Sequence, residues 1–135
     1  MTHEEMLNWL KTCEGYNSHP YLDTVGKVTI GWGRCLDTVG ISQDEAQLML
    51  ENDLRQAEKD LSGLFWFHYQ PQHVKDALTN MVFNLGLTHF LTFKKMIHAL
   101  IAKDYTTAAV EALDSKWAKQ VGKRARDIAL MIRQA

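Results

Sequence analysis

The sequence predicts a small α+β domain, in which a helix and a β-hairpin are followed by an all-helical remainder. Two capping-box motifs, a glycine-punctuated stretch over residues 16–40 and a broad apolar stripe after Pro71 support this fold class. The 135 residues are 46% hydrophobic and 23% charged, which is the composition of one ordinary globular domain. No apolar run approaches the roughly 18 residues of a membrane helix, so we expect no stable membrane insertion.

The first predicted element is a short amphipathic helix. Thr2 and Glu5 have the spacing of a capping box, in which each side chain bonds the backbone N–H of the other residue. Apolar residues then recur every three or four positions, and Gly15 provides a stop signal. The helix is therefore expected to end near Cys13 or Glu14.

A β-hairpin is predicted next. Residues 21–23 and 27–32 have the composition of strands, and Gly26 between them supplies the positive φ of a tight turn. Alternation along the second strand places Val28, Ile30 and Trp32 on one face and Thr29 on the other.

The rest of the chain is predicted to be helical. A second capping box, Ser42 with Glu45, begins a helix that runs to about Leu61. Pro71 begins a central helix that ends at Gly86, with an inward stripe of Val74, Ala77, Leu78, Met81, Val82 and Leu85. Shorter helical segments are expected near 90–102, 105–113, 115–120 and 123–133.

Charge is unevenly distributed along the chain. Residues 1–60 hold eleven acids and five Lys/Arg, whereas residues 61–135 hold five acids and ten Lys/Arg, concentrated in 116–133. A basic face favours an anionic partner such as nucleic acid, an acidic polymer or a membrane surface. The alternative interpretation is an ordinary solvated helix face.

The cysteines and histidines indicate neither a disulfide framework nor a metal site. Two cysteines are too few for a disulfide scaffold, so both are expected to be free, and Cys13 is interpreted as a small buried residue. The six histidines lack metal-ligand spacing, and we expect neither a metal nor another cofactor. Residues 1–11 lack the pattern of a secretory signal, which predicts synthesis and folding in a cytoplasm.

Three residues could carry chemistry. Glu14 lies at a helix end, Asp23 on the first hairpin strand and Thr29 on the second. Two carboxylates suit glycoside hydrolysis, because one can protonate the leaving oxygen while the other activates water beside a hydroxyl. Taken alone, this spacing also fits two carboxylates that only cap a helix or a turn.

The surrounding residues resemble a known family. Cys13-Glu14-Gly15-Tyr16, and the block from Pro20 to Gly33, closely resemble the catalytic segment of phage-type lysozymes, glycoside hydrolase family 24. Asn80 to Gly86 resembles the buried central helix of that family, and Ser115-Lys116-Trp117 and Arg124-Ala125-Arg126 resemble its C-terminal helices. The similarity spans nearly the whole chain.

The resemblance implies a two-lobed lysozyme-like fold and a role for each matching residue. A small hairpin lobe, about 15–60, and a helical lobe, about 61–135 plus the N-terminal helix 3–13, would form a single domain joined by a long helix. The implied catalytic residues are Glu14 as general acid, Asp23 as the carboxylate that assists the attacking water, and Thr29 as its hydroxyl partner. The implied substrate-binding residues are Gly33, Phe83, Asn84, Trp117, Gln120 and Arg124, of which Arg124 would pair with the acid across the cleft.

The resemblance also implies an activity and its setting. An endolysin of this kind hydrolyses the β-1,4 bond between N-acetylmuramic acid and N-acetylglucosamine in peptidoglycan, with inversion, and lyses its host. It would be a monomer without nucleic-acid partners. It would be made in the cytoplasm and would reach the wall after a holin opens the membrane.

Some alternatives stay open. A lytic transglycosylase would cut the same bond without a water-directing carboxylate, and a non-catalytic relative would only bind cell wall. A small helical nucleic-acid binder rests on residues 116–133 alone. Two departures from the family pattern also bear on peripheral saccharide contacts: Arg34 to Ile41 is short, and Val25 is apolar where some relatives carry an acid.

Overall fold

The computed structural model describes residues 1–134 and confirms the α+β class. Within these residues it has eight α-helices, one 3-10 helix and a three-stranded antiparallel sheet. The strands are β1 (Asn17–Leu22), β2 (Val28–Gly31) and β3 (Arg34–Cys35). The helices are α1 (His3–Glu14), α2 (Gln43–Ser62), α3 (Gln72–Leu85), α4 (Leu87–Phe90), α5 (Lys94–Ile101), α6 (Tyr105–Leu113), α7 (Lys116–Val121) and α8 (Lys123–Arg133), with the 3-10 helix at Phe65–Tyr69.

The chain divides into two compact units, Met1–Leu48 and Met49–Ala135. The division falls within α2, and α1 belongs to the first unit. The assignment of the N-terminal helix to a helical lobe within a single domain stays a prediction.

Helix α1 begins and ends where the sequence predicts. The Thr2 hydroxyl accepts a hydrogen bond from the Glu5 N–H at 3.1 Å, and the Glu5 carboxylate accepts one from the Thr2 N–H at 3.1 Å. Gly15 closes the helix with φ +70°, and its N–H donates to the Lys11 carbonyl. The burial expected for Cys13 is wrong: α1 buries none of its residues, and this thiol is free and exposed.

The sheet has the order β1-β2-β3 and places Thr29 on its central strand. Thr29 pairs with Tyr21 on β1 and with Cys35 on β3. The sequence does not predict strand β3, because two residues are too few to show an alternation of apolar and polar side chains. Thr29 is the one buried residue of the first unit, at 4% exposure, so this unit has no apolar core of its own.

A charged fork joins β3 to the start of α2. The capping box predicted for Ser42 and Glu45 is confirmed, with both of its hydrogen bonds formed. The Arg34 guanidinium also donates to both Glu45 carboxylate oxygens, at 2.9 and 2.6 Å, and to the Gly40 carbonyl at 3.0 Å. The Arg34 hydrogen bond, with further bonds from Ser42, lowers the pKa of the Glu45 carboxyl from 4.5 to about 2.

The hydrophobic core lies in the second unit. It is built around α3, which begins after Pro71 and ends at Gly86 as predicted. The inward stripe of this helix is confirmed: Val74, Ala77, Leu78, Met81 and Val82 are buried, and Leu85 packs against them. The segment expected near 90–102 corresponds to α5, and a turn at 91–93 separates it from α4, a short helix that the sequence did not predict.

Gln70 supplies the polar centre of this core. It is buried, and its amide donates to the carbonyls of Trp66 and Leu100 while its oxygen accepts from the Tyr105 hydroxyl at 2.8 Å. Both ends of the amide are therefore satisfied, which removes the cost of burying it. Burial raises the pKa of the Tyr105 hydroxyl. Within residues 1–134, no helix is long and apolar enough to cross a membrane.

The fork predicts an acid-sensitive first unit. Because the pKa of Glu45 is lowered in the folded state, its charge stabilises the fold above pH 4.5, and that contribution is lost as the pH falls towards 2. We expect Glu45→Gln to lower the thermal midpoint at neutral pH and the difference from wild type to vanish near pH 2. Thermal denaturation followed by circular dichroism across this range measures the effect.

Glu58→Gln is the matched control, since Glu58 is an exposed carboxylate on the same helix with no ion pair in the described part of the chain. The control should behave as wild type throughout. A midpoint difference for Glu45→Gln that stays constant from neutral to acid pH would contradict the assignment.

Candidate active site

Glu14 lies at the end of α1 next to a glycine. Its side chain is exposed, and it approaches Gly33 so closely that a Cβ built there would lie 2.7 Å from its carboxyl carbon and 3.0 Å from its Cγ. Gly33 also has φ +78°, a conformation that side chains disfavour. A side chain at position 33 would therefore be strained by its φ and would push the Glu14 side chain aside.

Asp23 and Thr29 are anchored on the same residue of the hairpin. Asp23 Oδ1 accepts hydrogen bonds from the N–H groups of Val25 and Lys27, at 2.9 and 2.8 Å. Thr29 Oγ1 donates to the carbonyl of Lys27 at 3.1 Å. Asp23 is therefore fixed by the N–H of Lys27, and Thr29 by its carbonyl. Asp23 Oδ2 has no hydrogen bond from residues 1–134.

The turn contacts show that Asp23 also has a structural task. Its Oδ1 closes an Asx-type turn, which is the purely structural role expected of an aspartate near a glycine. The turn uses only Oδ1, so Oδ2 remains available for any other interaction of the carboxylate.

Aromatic contacts support the end of α1 beside this hairpin. The rings of Tyr16 and Trp32 lie 5.2 Å apart, and the Lys11 ammonium lies 5.2 Å from the Trp32 ring. Trp32 is about half exposed rather than a core residue. In a unit without an apolar core, these contacts hold α1 to the chain that follows β2.

Another group of the proposed site residues lies in the second unit. Trp117 is buried at 3% exposure, and its indole N–H donates to Asn84 Oδ1 at 2.8 Å. Phe83 is half-buried and packs on the core, whereas Gln120 is exposed on α7. The side-chain oxygen of Asn84 thus accepts the hydrogen bond from Trp117, and its amide N–H groups remain available to donate to another partner.

Arg124 has a partner that the sequence did not single out. Its Nε donates to Asn80 Oδ1 at 2.8 Å, which links α8 to α3. The two residues line a pocket of about 400 Å³ with Phe83. Asn80 stands in the block that resembles the family, but no spacing rule connects it with a residue 44 positions later. The pairing of Arg124 with the catalytic acid stays a prediction.

Comparisons with known proteins identify the family. The model of the family described as phage lysozyme matches residues 11–135. The chain is 31% identical over 124 residues to an endolysin of Acyrthosiphon pisum secondary endosymbiont phage 1, covering 90% of this chain and 84% of that protein. The chain belongs to the phage lysozyme family.

Two further relatives show how widely this domain occurs. A probable T4-type lysozyme 1 of Dictyostelium discoideum is 27% identical over 153 residues, covering 91% of this chain and 90% of that protein. The pre-baseplate central spike protein Gp5 of Enterobacteria phage T4 is 27% identical over 157 residues, but only 27% of its length is matched. As a phage lysozyme family member related to an endolysin, this chain is a lysozyme hydrolase that degrades peptidoglycan.

The contact between Gly33 and Glu14 gives a direct test of geometry. We expect Gly33→Ala to displace the Glu14 carboxyl and to lower the rate of peptidoglycan clearing by about tenfold to a hundredfold, because catalytic groups tolerate little misplacement. Turbidity loss of a peptidoglycan suspension measures the rate.

Gly40→Ala is the control that separates contact with Glu14 from the strain of placing a side chain at a positive φ. Gly40 has φ +64° in the same unit, but a Cβ there meets nothing within 4 Å. This control should lose some thermal stability and keep its rate. Equal rates for the two variants would show that Gly33 does not position Glu14.

Proposed function

We propose that this lysozyme is an N-acetylmuramidase that hydrolyses the β-1,4 bond between N-acetylmuramic acid and N-acetylglucosamine. One observation carries the proposal. The unit whose hairpin fixes Asp23 and Thr29 on Lys27 also places the Glu14 carboxyl next to Gly33. Hydrolysis of a glycoside by a single attack of water needs two kinds of group: a proton donor for the leaving oxygen and a pair of residues that orients the water.

Glu14 is the proposed general acid. Its exposed carboxyl stands at a helix end where a glycine leaves room for it, so a polymer can reach it. Donation of its proton to the glycosidic oxygen lets the leaving sugar depart as an alcohol and not as an alkoxide.

Asp23 and Thr29 are the proposed water-binding pair. Asp23 Oδ1 is occupied by two backbone N–H groups, so Oδ2 is the oxygen that accepts a proton from the attacking water. Thr29 donates its hydroxyl hydrogen to the Lys27 carbonyl, so the lone pairs of Oγ1 stay available to accept a hydrogen bond from the same water. Attack by a held water on the face opposite the leaving group inverts the anomeric carbon.

The proposed substrate contacts are Gly33 in the first unit and five residues in the second. Asn84 supports a sugar contact because its amide N–H groups remain free of Trp117. Arg124 is proposed to interact with the acid and the substrate while Asn80 orients its guanidinium. Phe83 and Gln120 are proposed to complete this surface, with the buried Trp117 beneath it as the hydrogen-bond donor that orients Asn84.

The setting of the reaction is also a proposal. The endolysin among its relatives supports host lysis as the biological outcome. We further propose that the enzyme is a monomer and reaches the wall after a holin opens the membrane. The excess of Lys and Arg in residues 61–135 would favour encounter with the anionic envelope.

Removing the acid tests the central step. We expect Glu14→Gln to lower the lysis rate of permeabilised Gram-negative cells by at least about a hundredfold with an unchanged thermal midpoint, because it deletes the proton donor at constant size. Glu4→Gln, an exposed carboxylate on the same helix, is the control and should lyse at the wild-type rate. Retention of most activity by Glu14→Gln would overturn the assignment.

The products discriminate the chemistry. Mass spectra of released muropeptides should show the hydrated reducing end, and proton magnetic resonance should show the inverted anomer first. A 1,6-anhydro product, lighter by one water, would identify a transglycosylase.

Two variants separate the tasks of Asp23. Asp23→Asn keeps an oxygen for the Val25 and Lys27 N–H groups, so we expect a near-native thermal midpoint and a rate at least about a hundredfold lower. Asp23→Ala removes both tasks and should lower the midpoint as well. If the two variants have the same midpoint, the turn hydrogen bonds contribute nothing to stability.

A further inference from the structure

The peptide group between Lys27 and Val28 is hydrogen-bonded at both of its polar ends. Its carbonyl, which belongs to Lys27, accepts from the Asp23 N–H at 2.9 Å and from the Thr29 hydroxyl at 3.1 Å. Its N–H, which belongs to Val28, donates to Oδ2 of Asp37 at 2.7 Å. This one peptide group therefore connects the proposed water-binding pair with a carboxylate that follows β3 in the chain.

Asp37 supplies a hydrogen-bond acceptor that the sheet lacks at this point. The register of β2 with β3 continues to Val28 and Leu36, and a hydrogen-bonded antiparallel pair exchanges two N–H···O bonds. Only the bond from the Leu36 N–H to the Val28 carbonyl forms, at 2.8 Å, whereas the Leu36 carbonyl accepts from the Gly40 N–H at 3.0 Å. The Asp37 carboxylate takes the place of that carbonyl as the acceptor for the Val28 N–H.

The planarity of the peptide group transmits this contact to the proposed water-binding pair. The N–H and the carbonyl lie in one plane, so a bond that fixes the N–H also fixes the direction of the carbonyl. The Lys27 carbonyl sets where the Thr29 hydroxyl hydrogen points, and thus where the lone pairs of Thr29 Oγ1 face. The N–H of Lys27 donates to Asp23 Oδ1 at 2.8 Å, so a shift of the backbone here would move both side chains.

We propose that Asp37 is a positioning residue for hydrolysis, which orients Asp23 and Thr29 through the Lys27–Val28 peptide without touching the water itself. The inference rests on the proposed function, in which those two side chains hold the attacking water. Asp37 is exposed and lies after the block from Pro20 to Gly33 that carries the family resemblance. Its effect depends on where Oδ2 stands and not on the charge of the carboxylate.

Two other roles for Asp37 would lead to different results. A purely structural contact would change the thermal midpoint and leave turnover unchanged well below the unfolding transition. An effect of charge on the reacting groups would require the carboxylate charge and would tolerate a displaced oxygen. Because position 37 is exposed, Asn and Glu can both be placed there without burying a polar group, and these two substitutions separate the three roles.

Steady-state kinetics on soluble peptidoglycan fragments, well below the unfolding transition, tests the proposal. Asp37→Asn keeps an oxygen for the Val28 N–H and removes the charge, so we expect kcat within about threefold of wild type because the geometry is kept. Asp37→Glu keeps the charge and moves the oxygens by one methylene group, so we expect kcat to fall about tenfold with an unchanged KM.

The same two substitutions at Asp44 are the matched controls. Asp44 is exposed in the same unit, and its side chain has no hydrogen bond or ion pair with the described residues 1–134. Both control variants should keep the wild-type kcat. Amide hydrogen exchange gives a readout that does not depend on activity: the N–H groups of Asp23 and Lys27 should exchange faster in Asp37→Glu than in wild type or in Asp37→Asn.

The outcomes that would overturn the proposal are distinct from a failure of the proposed function. Equal loss of kcat in both Asp37 variants, or a loss in Asp37→Asn alone, would show that the charge acts. Wild-type kcat in Asp37→Glu would also overturn the positioning role, whatever its thermal midpoint. Glu14→Gln is assayed on the same substrate: if it is inactive while Asp37→Glu is fully active, only the positioning role fails, whereas an active Glu14→Gln overturns the proposed function itself.

Discussion

The first unit is ordered without an apolar core, and this constraint governs how its residues are held. Thr29 is its one buried residue, and buried apolar side chains begin only in the second half of α2. Order in the first unit therefore comes from hydrogen bonds with fixed directions: two capping boxes, the Asp23 turn and the Arg34 fork. Hydrogen bonds of fixed direction constrain the position of individual atoms, which suits the proposed water-binding role of Asp23.

The second unit has the opposite construction. Its core surrounds α3, and its buried polar centre, Gln70, is fully bonded. Side-chain hydrogen bonds link its helices, from Trp117 to Asn84 and from Arg124 to Asn80. Each pair joins two helices, so residues proposed to bind or position substrate also stabilise this unit.

The sequence predicted well what depends on local or periodic patterns. The boundaries of α1, the start of α2 and the stripe of α3 follow from capping boxes and helical spacing, and the structure has them as expected. It predicted poorly what depends on contacts between distant residues. Nothing in the sequence reveals that Asn80 binds Arg124, that Arg34 grips Glu45, or that Gly33 makes room for Glu14. Exposure was misjudged at Cys13 because an apolar position on a short helix does not say whether anything covers it. The candidate site rests on a resemblance along the hairpin block, whereas the spacing of the carboxylates alone favours caps or solvated charges over catalysis.

The hairpin turn has a consequence for how this enzyme can vary. Asp23 Oδ1 reaches the Val25 and Lys27 N–H groups only because the loop has its present length, and the Lys27 carbonyl in turn receives Thr29. Thr24 and Val25 are exposed, and the side chain of neither makes these bonds, whereas an inserted or deleted residue would change which N–H groups the carboxylate meets. The identity of these two residues is therefore less constrained than the number of residues in the loop, which the Asp23 carboxylate fixes.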